Sequence, residues 1–495
     1  MVLGTSSGVG KSITVTAICR ILKNTGENPI PFKGQNMSNN SWVDYKGGEM
    51  AYSQALQAFA SGIIPSSDMN PILLKPQGDS TSEVIHLGKS MGITTAKNYY
   101  LNWFEPGWNS IKKGIKNILK KNDNCRLIIE GAGSPVEMNL IHRDLTNLRI
   151  AKYLQSHCIL VADIEKGGVF AQIIGTLKLM KPEERNLIKG IVINRFRGDI
   201  ALFDKGKKWI EENTNVPILG ILPALNDKFP PEDSLDLLNR EFPKDNPELK
   251  IGIIKFPSIS NFSDLHPLEN EESIKLTWIS NSKNLNEFDI IILPGSKQTI
   301  KDQLFLKDSG LLKNIQNYAD GEGNILGICG GLQMLGEILE DPYSKEGSQD
   351  SYGQVINGIG LLPIKTKFLD KKQTKQVNCE SIWPSSTTVN GFEIHNGKSQ
   401  IIYQGKDFET KPIFKEDYLG WYKENKKGGI TAGTYIHGIF ENDHWRESYI
   451  NLIRKKKGLT TLDKKNKNYK IKREAIIDNL AIQFKKHINL SGLMS

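Results

Sequence analysis

Short apolar runs alternate with helix-compatible stretches over residues 1–225. The helix-compatible stretches include SITVTAICRILKNTG (12–26) and AQIIGTLKLM (171–180). The strand candidates, each an apolar, β-branched run that ends in polar or glycine residues, are LIIEGAG (127–133), CILVADI (158–164) and GIVINRF (190–196). Buried strands that alternate with helices predict a parallel sheet covered on both faces. Ligands of such sheets gather at the carboxyl ends of the strands.

The same alternation restarts in the second half of the chain. The segment 226–250 is polar, charged and rich in proline, which is typical of a linker. Strand candidates then resume at IGIIKFPS (251–258), FDIIILPGS (288–296) and NILGICGG (324–331). We therefore predict an α/β protein with two parallel-sheet domains, at 1–225 and 251–450. A lysine-rich C-terminal extension, 451–495, is predicted to be helical over 473–488.

The composition limits the classes of function. The chain has 495 residues, of which 38% are hydrophobic and 24% are charged, as in soluble globular proteins. No apolar run approaches the ~20 residues of a membrane span, and the N-terminus lacks the pattern of a signal peptide. We therefore expect a cytoplasmic protein with no membrane partner. The five cysteines show no CxxC spacing, which argues against a zinc site and fits a reducing compartment.

The formal net charge is +9, and much of the excess comes from lysine. Two interpretations stay open: solvated lysine-rich faces, or attraction for a polyanion or a multiply carboxylated substrate. The sequence has no zinc-finger pattern, no RNA-recognition signature and no basic stretch interleaved with aromatic residues. We therefore expect no nucleic-acid partner.

The stretch GTSSGVGKS (4–12) has the features of a phosphate-binding loop. Its outer glycines have five residues between them, one more than in the common GxxxxGK[ST] pattern. Gly8 and Gly10 allow backbone N–H groups to turn toward an anion. Lys11 can reach the terminal phosphates of ATP, and the Ser12 hydroxyl can bind Mg²⁺. A structural glycine-serine turn is the alternative.

Polar residues at the predicted strand ends are candidates for binding metal and nucleotide. Glu130 is the expected second Mg²⁺ contact, with a helix cap or a surface charge as the alternative. Asp163 ends the next strand and is a weaker candidate for the same role. Asn194, together with Arg195, is a candidate for contacting adenine or flanking a phosphate. Glu49 has glycine neighbours and is a candidate for binding metal or the acceptor substrate.

Cys329 follows the apolar run ILGI and precedes two glycines and a helix-compatible stretch. This pattern predicts a strand–turn–helix elbow, which places the thiol at a helix N-terminus and favours the reactive thiolate. His437 is the candidate base, with His395 as the rival. Backbone N–H groups near Gly330 and Gly295 are candidates for stabilising an oxyanion. A buried, unreactive cysteine is the alternative.

Two groups of motifs carry a resemblance to known families. GICGGLQMLG with the later TYIHGIF resembles a class I glutamine amidotransferase domain, which has a flavodoxin-like fold. GTSSGVGKS with IEGAGSP resembles the P-loop NTPase-like ATP domain of dethiobiotin synthetases. A chain that joins both resembles the cobyric acid synthase family, almost from end to end. The other matching stretches are PFKGQNMSNNS (31–41), GGEMAYSQALQA (47–58), DMNPILLKPQGD (68–79), IEGAGSPVEMNL (129–140), DIEKGGVFAQIIGTL (163–177), NRFRGD (194–199), FPSISNF (256–262) and GFEIHNG (391–397).

The resemblance implies a reaction and the roles of several residues. ATP with Mg²⁺ converts a carboxylate into an acyl phosphate, and ammonia released from glutamine attacks it to form an amide. The implied acceptor is adenosylcobyrinic acid a,c-diamide, amidated at its b, d, e and g side chains. Cys329 is then the nucleophile and His437 its base. A corrin with several carboxylates is acidic, which suits a basic protein.

Two positions depart from the expected pattern. Many class I amidotransferases have a glutamate two residues after the histidine, and here that position is Ile439. Glu441 and Asp443 lie nearby in the chain without an assigned role. His266 stands where relatives are expected to have an acidic residue.

Three alternatives remain at this point. Two are related amidoligases: a cobyrinic acid a,c-diamide synthase, and a cell-wall amidotransferase with the same two functions. The third, from a different class, is a ParA-like ATPase that forms no amide. Such an ATPase shares the parallel sheet and the unusual phosphate loop but has no need of Cys329 and His437.

Overall fold

The structure, a computed structural model, describes the chain except for residues 79, 226–228, 230–245, 282–283, 347–352, 404–408, 463–467 and 495. Most of the linker predicted at 226–250 lies outside the described residues. None of the described helices combines the length and the apolar composition of a membrane span.

The N-terminal domain is built on a parallel sheet. Its four central strands, in spatial order, are Val2–Gly4, Cys158–Asp163, Ile188–Phe196 and Ile218–Pro223. A parallel pair, Pro29–Phe32 with Arg126–Ile129, continues this sheet through a bridge between Val2 and Glu130. The three strand candidates predicted in this half of the chain are all present, and the predicted α/β fold class is confirmed.

Helices cover both faces of this sheet, because the strands are apolar on both sides. Lys11–Asn24 and Tyr52–Ser61 pack on one face, and Val169–Leu179 and Asp204–Thr214 pack on the other. The remaining helices of the domain are Ala96–Asn102, Phe104–Lys121, Leu148–Tyr153 and Pro182–Arg185.

An inserted, mainly antiparallel unit faces the second domain. Its sheet has the strand order Gln35–Met37, Ile72–Gly78, Thr81–His86 and Lys89–Thr95. A short hairpin, Ser41–Val43 with Glu49–Ala51, lies beside it. The hairpin contacts the second domain directly, since Asn261 Nδ2 donates to the Ser41 carbonyl at 2.9 Å and Thr374 Oγ1 donates to the Gly47 carbonyl at 2.9 Å.

The second domain contains a seven-stranded sheet and a smaller four-stranded sheet. The strands of the large sheet, in spatial order, are Ile274–Ile279, Leu249–Ile254, Ile290–Leu293, Ile325–Ile328, Ile430–Thr434, Gly420–Glu424 and Lys411–Pro412. The first five are parallel to one another, Gly420–Glu424 is antiparallel to Ile430–Thr434, and Lys411–Pro412 is antiparallel to Gly420–Glu424. The small sheet has the order Gln354–Asn357, Ile338–Asp341, Ile364–Ser381 and Thr387–Ile401. The helices are His266–Glu269, Thr299–Asp308, Leu311–Asp320, Gly330–Leu335 and Asp443–Lys456.

The last long helix, Tyr469–His487, returns to the N-terminal domain. Its buried residues Ile477, Leu480 and Phe484 belong to the same apolar core as residues of the helix Lys11–Asn24. Arg20 on that helix forms ion pairs with Glu474 at 2.5 Å and with Asp478 at 3.1 Å. The segment predicted as a separate extension thus completes the core of the first domain.

The boundary predicted at 450 falls inside a helix. Asp443–Lys456 packs on the second domain through Trp445, Tyr449 and Ile453, which are buried in its core. The C-terminal residues are therefore divided between the two domains. Sequence periodicity predicted the second of these helices but not the surface against which it packs.

We expect Phe484→Ala to lower the free energy of unfolding by about 3–5 kcal/mol, because the side chain is fully buried in the N-terminal core. Ile482 on the same helix is 62% exposed, and Ile482→Ala should change it by less than about 0.5 kcal/mol. Urea unfolding followed by tryptophan fluorescence measures both. Equal effects of the two substitutions would contradict the packing of this helix on the first domain.

Candidate functional site

The predicted phosphate loop connects the strand Val2–Gly4 to the helix Lys11–Asn24. Gly8 and Gly10 have φ angles of 71° and 102°, a region that L side chains rarely adopt. A Cβ at Gly10 would also collide with the amide of Asn194. The loop conformation therefore requires glycine at this position for two independent reasons.

Lys11 and Ser12 point toward the strand end that carries Glu130. Lys11 Nζ donates to the carbonyl of Ser6 at 2.8 Å and to that of Gly133 at 3.0 Å. Ser12 Oγ donates to Glu130 Oε1 at 2.8 Å. The loop lysine thus bridges two chain segments that are more than a hundred residues apart in sequence, and the two predicted metal contacts are adjacent.

Glu130 is fully buried and accepts hydrogen bonds on both oxygens. Lys33 Nζ lies 2.6 Å from Oε1, and the amides of Gln54 and Gln57 donate to Oε2 at 3.3 and 2.5 Å. Lys33 is a functional candidate that the sequence reasoning missed, although its stretch PFKGQNMSNNS was noted. Its side chain is buried, and its carboxylate partner lies 97 residues further along the sequence.

A cavity of about 350 Å³ opens beside this loop. Its lining includes Gly8, Gly10, Lys11, Lys33, Gly133 and Arg143. Three cationic side chains and the glycines of the loop thus face one cavity, which is the arrangement that a triphosphate requires.

Asn194 and Asp163 lie at the same edge of the sheet but are engaged with protein groups. Asn194 Nδ2 donates to the Val9 carbonyl at 2.8 Å, so its amide supports the phosphate loop. Asp163 forms an ion pair with Arg195 at 2.7 Å. The structure thus gives Asn194 a contact with the loop backbone and pairs Asp163 with the neighbouring arginine.

Glu49, the candidate for binding metal or the acceptor, is paired with a lysine from each domain. Lys75 Nζ lies 2.6 Å from its Oε1, and Lys372 Nζ of the second domain lies 2.6 Å from its Oε2. Burial opposes ionisation, but the two ammonium groups outweigh it and lower the pKa of Glu49. Among the described residues, no group of three or more histidine, cysteine, aspartate or glutamate side chains is arranged to hold a metal ion.

Cys329 occupies a strained turn between a strand and a helix. The strand Ile325–Ile328 precedes it and the helix Gly330–Leu335 follows. Its φ and ψ angles are 51° and −103°, an unusual conformation for a residue with a side chain. Its N–H donates to the Thr434 carbonyl at 2.7 Å, which fixes the turn to the neighbouring strand. The thiol is 6% exposed, and the predicted elbow is present.

His437 is the histidine that faces the thiol. Its Nδ1 lies 2.7 Å from Asp264 Oδ2, and the other oxygen of Asp264 accepts the N–H of Gly438 at 2.7 Å. Burial lowers the pKa of His437, but the charges of Asp264 and of Cys329 outweigh burial and raise it to about 10. Because the carboxylate can only accept, Nδ1 carries a proton and Nε2 is left for the thiol.

Asp264 fills the role that the sequence reasoning found empty at Ile439. It comes from the stretch NFSDLHPL and lies 173 residues before His437. A search for an acid close to the histidine in sequence therefore could not find it. The neighbouring His266, noted as a departure, is buried with its Nδ1 2.6 Å from the Tyr469 hydroxyl. Glu441 forms an ion pair with Arg473 at 3.2 Å.

His395, the rival base, is held by other groups. Its ring nitrogens lie 2.7 Å from the Gly397 carbonyl and 3.0 Å from Glu393 Oε2. The ring stacks on Tyr435 at a centroid distance of 4.0 Å. The geometry therefore favours His437 as the partner of Cys329.

Gly295 and Gly330 lie where a side chain would not fit. A Cβ at Gly295 would approach the Ser260 carbonyl to 2.9 Å and the His437 ring to 3.2 Å. A Cβ at Gly330 would approach the Ser296 backbone nitrogen to 2.8 Å. Gly295 thus allows a close approach of the backbone to the His437 ring, and Gly330, next to Cys329 in the chain, allows a close approach to the Ser296 backbone.

The comparisons with known proteins agree with this two-site architecture. Residues 1–229 match the CobQ/CobB/MinD/ParA nucleotide binding domain, and residues 250–445 match the CobB/CobQ-like glutamine amidotransferase domain. Together with the two sites, these matches define a glutamine-hydrolysing, ATP-dependent ligase.

Full-length relatives specify the family further. The cobyric acid synthase of Prochlorococcus marinus subsp. pastoris is 70% identical over 495 residues, covering 100% of this chain and 97% of the relative. The cobyric acid synthase of Prochlorococcus marinus strain MIT 9515 is 71% identical, with the same coverage. The chain belongs to the cobyric acid synthase family. A solved glutamine amidotransferase is 12% identical and aligns over 41% of this chain and 98% of that chain with a TM-score of 0.30, too slight a likeness to carry any argument.

We expect Asp264→Asn to lower the pKa of His437 from about 10 toward its ordinary value near 6.5. The imidazolium, which persists up to about pH 10 in the native protein, would then be lost as the pH rises through a lower value. The thiolate would lose its cationic partner, so alkylation of Cys329 by iodoacetamide at pH 7 should slow by about tenfold or more.

Glu441→Gln is the matched control, because Glu441 is a half-buried acid that pairs with Arg473 and not with His437. Its alkylation rate at pH 7 should stay within about twofold of the wild-type rate. Mass spectrometry of the Cys329 peptide measures the rates. An Asp264→Asn protein with a wild-type pH profile would exclude Asp264 as the partner of His437.

Proposed function

We propose that this chain catalyses the ATP- and glutamine-dependent amidation of the b, d, e and g carboxylates of adenosylcobyrinic acid a,c-diamide in cobalamin biosynthesis. The proposal rests on one observation above all: a phosphate-loop cavity and a Cys329–His437–Asp264 site occur in one chain that matches cobyric acid synthases along its whole length. Each site supports one half of the reaction.

The thiol site accounts for the release of ammonia. Cys329 and His437 react as a thiolate–imidazolium pair, in which His437 holds the proton of the thiol, and the thiolate attacks the side-chain amide carbon of glutamine. The resulting oxyanion is stabilised by backbone N–H groups near Gly295 and Gly330. His437 returns the proton to the departing ammonia, and water then hydrolyses the thioester to glutamate. Asp264 keeps the imidazole in the required tautomer throughout.

The phosphate-loop site accounts for activation of the acceptor. A carboxylate is a poor electrophile, and transfer of the terminal phosphoryl group of ATP gives it a phosphate leaving group. Lys11 and Lys33 face the cavity where the triphosphate would lie and would stabilise the charge that moves between the phosphates. Ammonia attacks the acyl phosphate, the amide forms, and phosphate leaves.

Ser12 and Glu130 are the residues that would hold Mg²⁺. A hydroxyl and a carboxylate 2.8 Å apart fit this ion, which usually takes one or two protein oxygens and fills its remaining positions with phosphate oxygens and water. The bound ion would neutralise charge on the phosphates. Lys33 and the two glutamines hold the carboxylate in position toward the loop.

The net charge of the protein supports the proposed substrate, and its cysteines support the proposed location. A corrin with several free carboxylates suits a protein with a net charge of +9, and Arg143 and Lys33 add cationic groups to the cavity. All five cysteines are free thiols, which supports a location in the reducing cytoplasm.

We expect Cys329→Ala to lose glutamine-dependent amidation by at least about 10³-fold while it retains amidation from ammonium, because only the first reaction needs a nucleophilic thiol. The assay incubates the protein with Mg-ATP, adenosylcobyrinic acid a,c-diamide and either nitrogen source, and follows the corrin mass by mass spectrometry. Cys379→Ala removes another buried thiol, far from His437 in sequence, and should leave both reactions unchanged. A wild-type protein that amidates the corrin from neither source would refute the proposed substrate.

Lys11→Ala should reduce amidation from glutamine and from ammonium alike, by at least about 10²-fold, because both need the acyl phosphate. Lys23→Ala, at the other end of the same helix, is the matched control and should have little effect. Phosphate release and corrin mass are measured together. Full ammonium-dependent activity in Lys11→Ala would contradict the assignment of the loop.

A further inference from the structure

We propose that the segment 39–43 of the first domain positions the imidazole of His437 and the carboxylate of Asp264. Within this segment, the side chains of Asn40 and Trp42 are positioning residues for the glutaminase step. This inference rests on the proposed function and extends it: the site that hydrolyses glutamine is held in its reactive geometry by the domain that carries the phosphate loop. Two sets of contacts between the domains support this role.

Phe392 of the second domain contacts both the ring and the backbone of His437. The two rings stack with their centroids 5.4 Å apart and their planes 24° from parallel. The N–H of Phe392 donates to the carbonyl of His437 at 3.2 Å, and the N–H of His437 donates to the carbonyl of Phe392 at 2.9 Å. The contact with Asp264 fixes one nitrogen of the imidazole, and the stacked phenyl ring restricts rotation about that contact. The orientation of the imidazole therefore depends on Phe392.

Trp42 of the first domain packs on the Phe392 ring. The two ring centroids lie 5.0 Å apart, and Phe392 is 2% exposed, in a small apolar cluster that both domains share. The strand that carries Phe392 also contacts the thiol, since Cys329 Sγ donates to the Ile394 carbonyl at 3.5 Å. Trp42 therefore supports the strand of the second domain that contacts both Cys329 and His437.

The Trp42 ring is itself fixed within the first domain. Its centroid lies 5.5 Å from that of Phe59 and 6.1 Å from that of Tyr52, and both pairs have an edge-to-face arrangement. These two residues belong to the helix Tyr52–Ser61, which also carries the two glutamines that hold Glu130. Trp42 thus has a fixed position from which it supports the second domain.

The same segment holds the turn that presents Asp264. Asn40 is 2% exposed, and its Oδ1 accepts a hydrogen bond from Ser263 Oγ at 2.9 Å. The turn begins at Asn261, whose φ of 50° lies in the left-handed region and whose N–H donates to the Asn39 carbonyl at 3.2 Å. The N–H of Asp264 donates back to the Asn261 carbonyl at 3.1 Å. Loss of the Asn40 side chain would therefore remove a contact one residue before Asp264.

The experiment compares wild type with Trp42→Leu, with Trp42→Phe, which keeps an aromatic ring, and with Asn40→Ala, which removes the acceptor for Ser263. Tyr45→Leu is the matched control, because Tyr45 is an aromatic residue in the loop of the same hairpin and is 64% exposed. For each full-length protein, glutamate formation is measured against glutamine concentration in the presence of Mg-ATP and adenosylcobyrinic acid a,c-diamide. Corrin amidation from ammonium is measured in parallel, and far-UV circular dichroism reports whether each variant is folded.

We expect Trp42→Leu and Asn40→Ala to lower kcat for glutamate formation by about 10- to 100-fold, because a misplaced imidazole or carboxylate slows the chemical step. KM for glutamine should stay within about threefold of wild type, since neither side chain lines the cavity beside Cys329. Trp42→Phe and Tyr45→Leu should keep kcat within about threefold of wild type. Amidation from ammonium should stay within about twofold in all four variants, because it needs no thiol.

An equal loss of amidation from ammonium, or a wild-type kcat in either Trp42→Leu or Asn40→Ala, would overturn the proposal. A loss in Tyr45→Leu as large as that in Trp42→Leu would also overturn it, since the effect would then belong to the whole hairpin and not to the contact with Phe392. A wild type that forms glutamate but no corrin amide from either nitrogen source would refute the proposed function. The kcat values of the folded variants would still decide the role of Trp42.

Discussion

Two glutamates and three lysines are buried together where the two domains meet. The interface between the domains and the cavity beside Cys329 both depend on this cluster of ion pairs. Glu49, Glu83 and Lys75 come from the first domain, and Lys297 and Lys372 come from the second. Isolated buried charges of this kind would cost several kcal/mol each. Glu83 takes its partners Lys297 and Lys372 from the second domain, so separating the domains would leave this buried carboxylate without them. The cavity beside Cys329 also needs both domains, because Lys75 of the first domain lines it together with Lys297 and Lys372 of the second.

Motifs whose residues are adjacent in sequence could be predicted, and groups assembled across the chain could not. Gly8, Gly10 and Lys11 share one loop, and the elbow at Cys329 is visible in a strand-like run followed by two glycines. Local spacing carries this information because the backbone conformation is set by neighbouring residues. The alternation of apolar runs likewise predicted both parallel sheets.

The missed residues depend on tertiary contacts. Asp264 reaches His437 from 173 positions away, and Lys33 reaches Glu130 from 97 positions away. Glu49 was predicted to bind metal or the acceptor because of its glycine neighbours, and these neighbours gave no sign of its ion pair with Lys372 of the other domain. Which charged side chains come into contact depends on the three-dimensional fold and not on their spacing along the chain. Local spacing alone left His395 open as the base; the family resemblance implied His437, and the contact of His437 with Asp264 supports that choice.

The helix Tyr469–His487 has a consequence for how the protein is made. The core between the phosphate-loop helix and the first sheet stays open until residues Ile477, Leu480 and Phe484 are in place. During synthesis, the whole second domain must emerge from the ribosome before the first domain can close. A chain cut short by a nonsense codon or by proteolysis before this helix would lack a finished ATP-binding half.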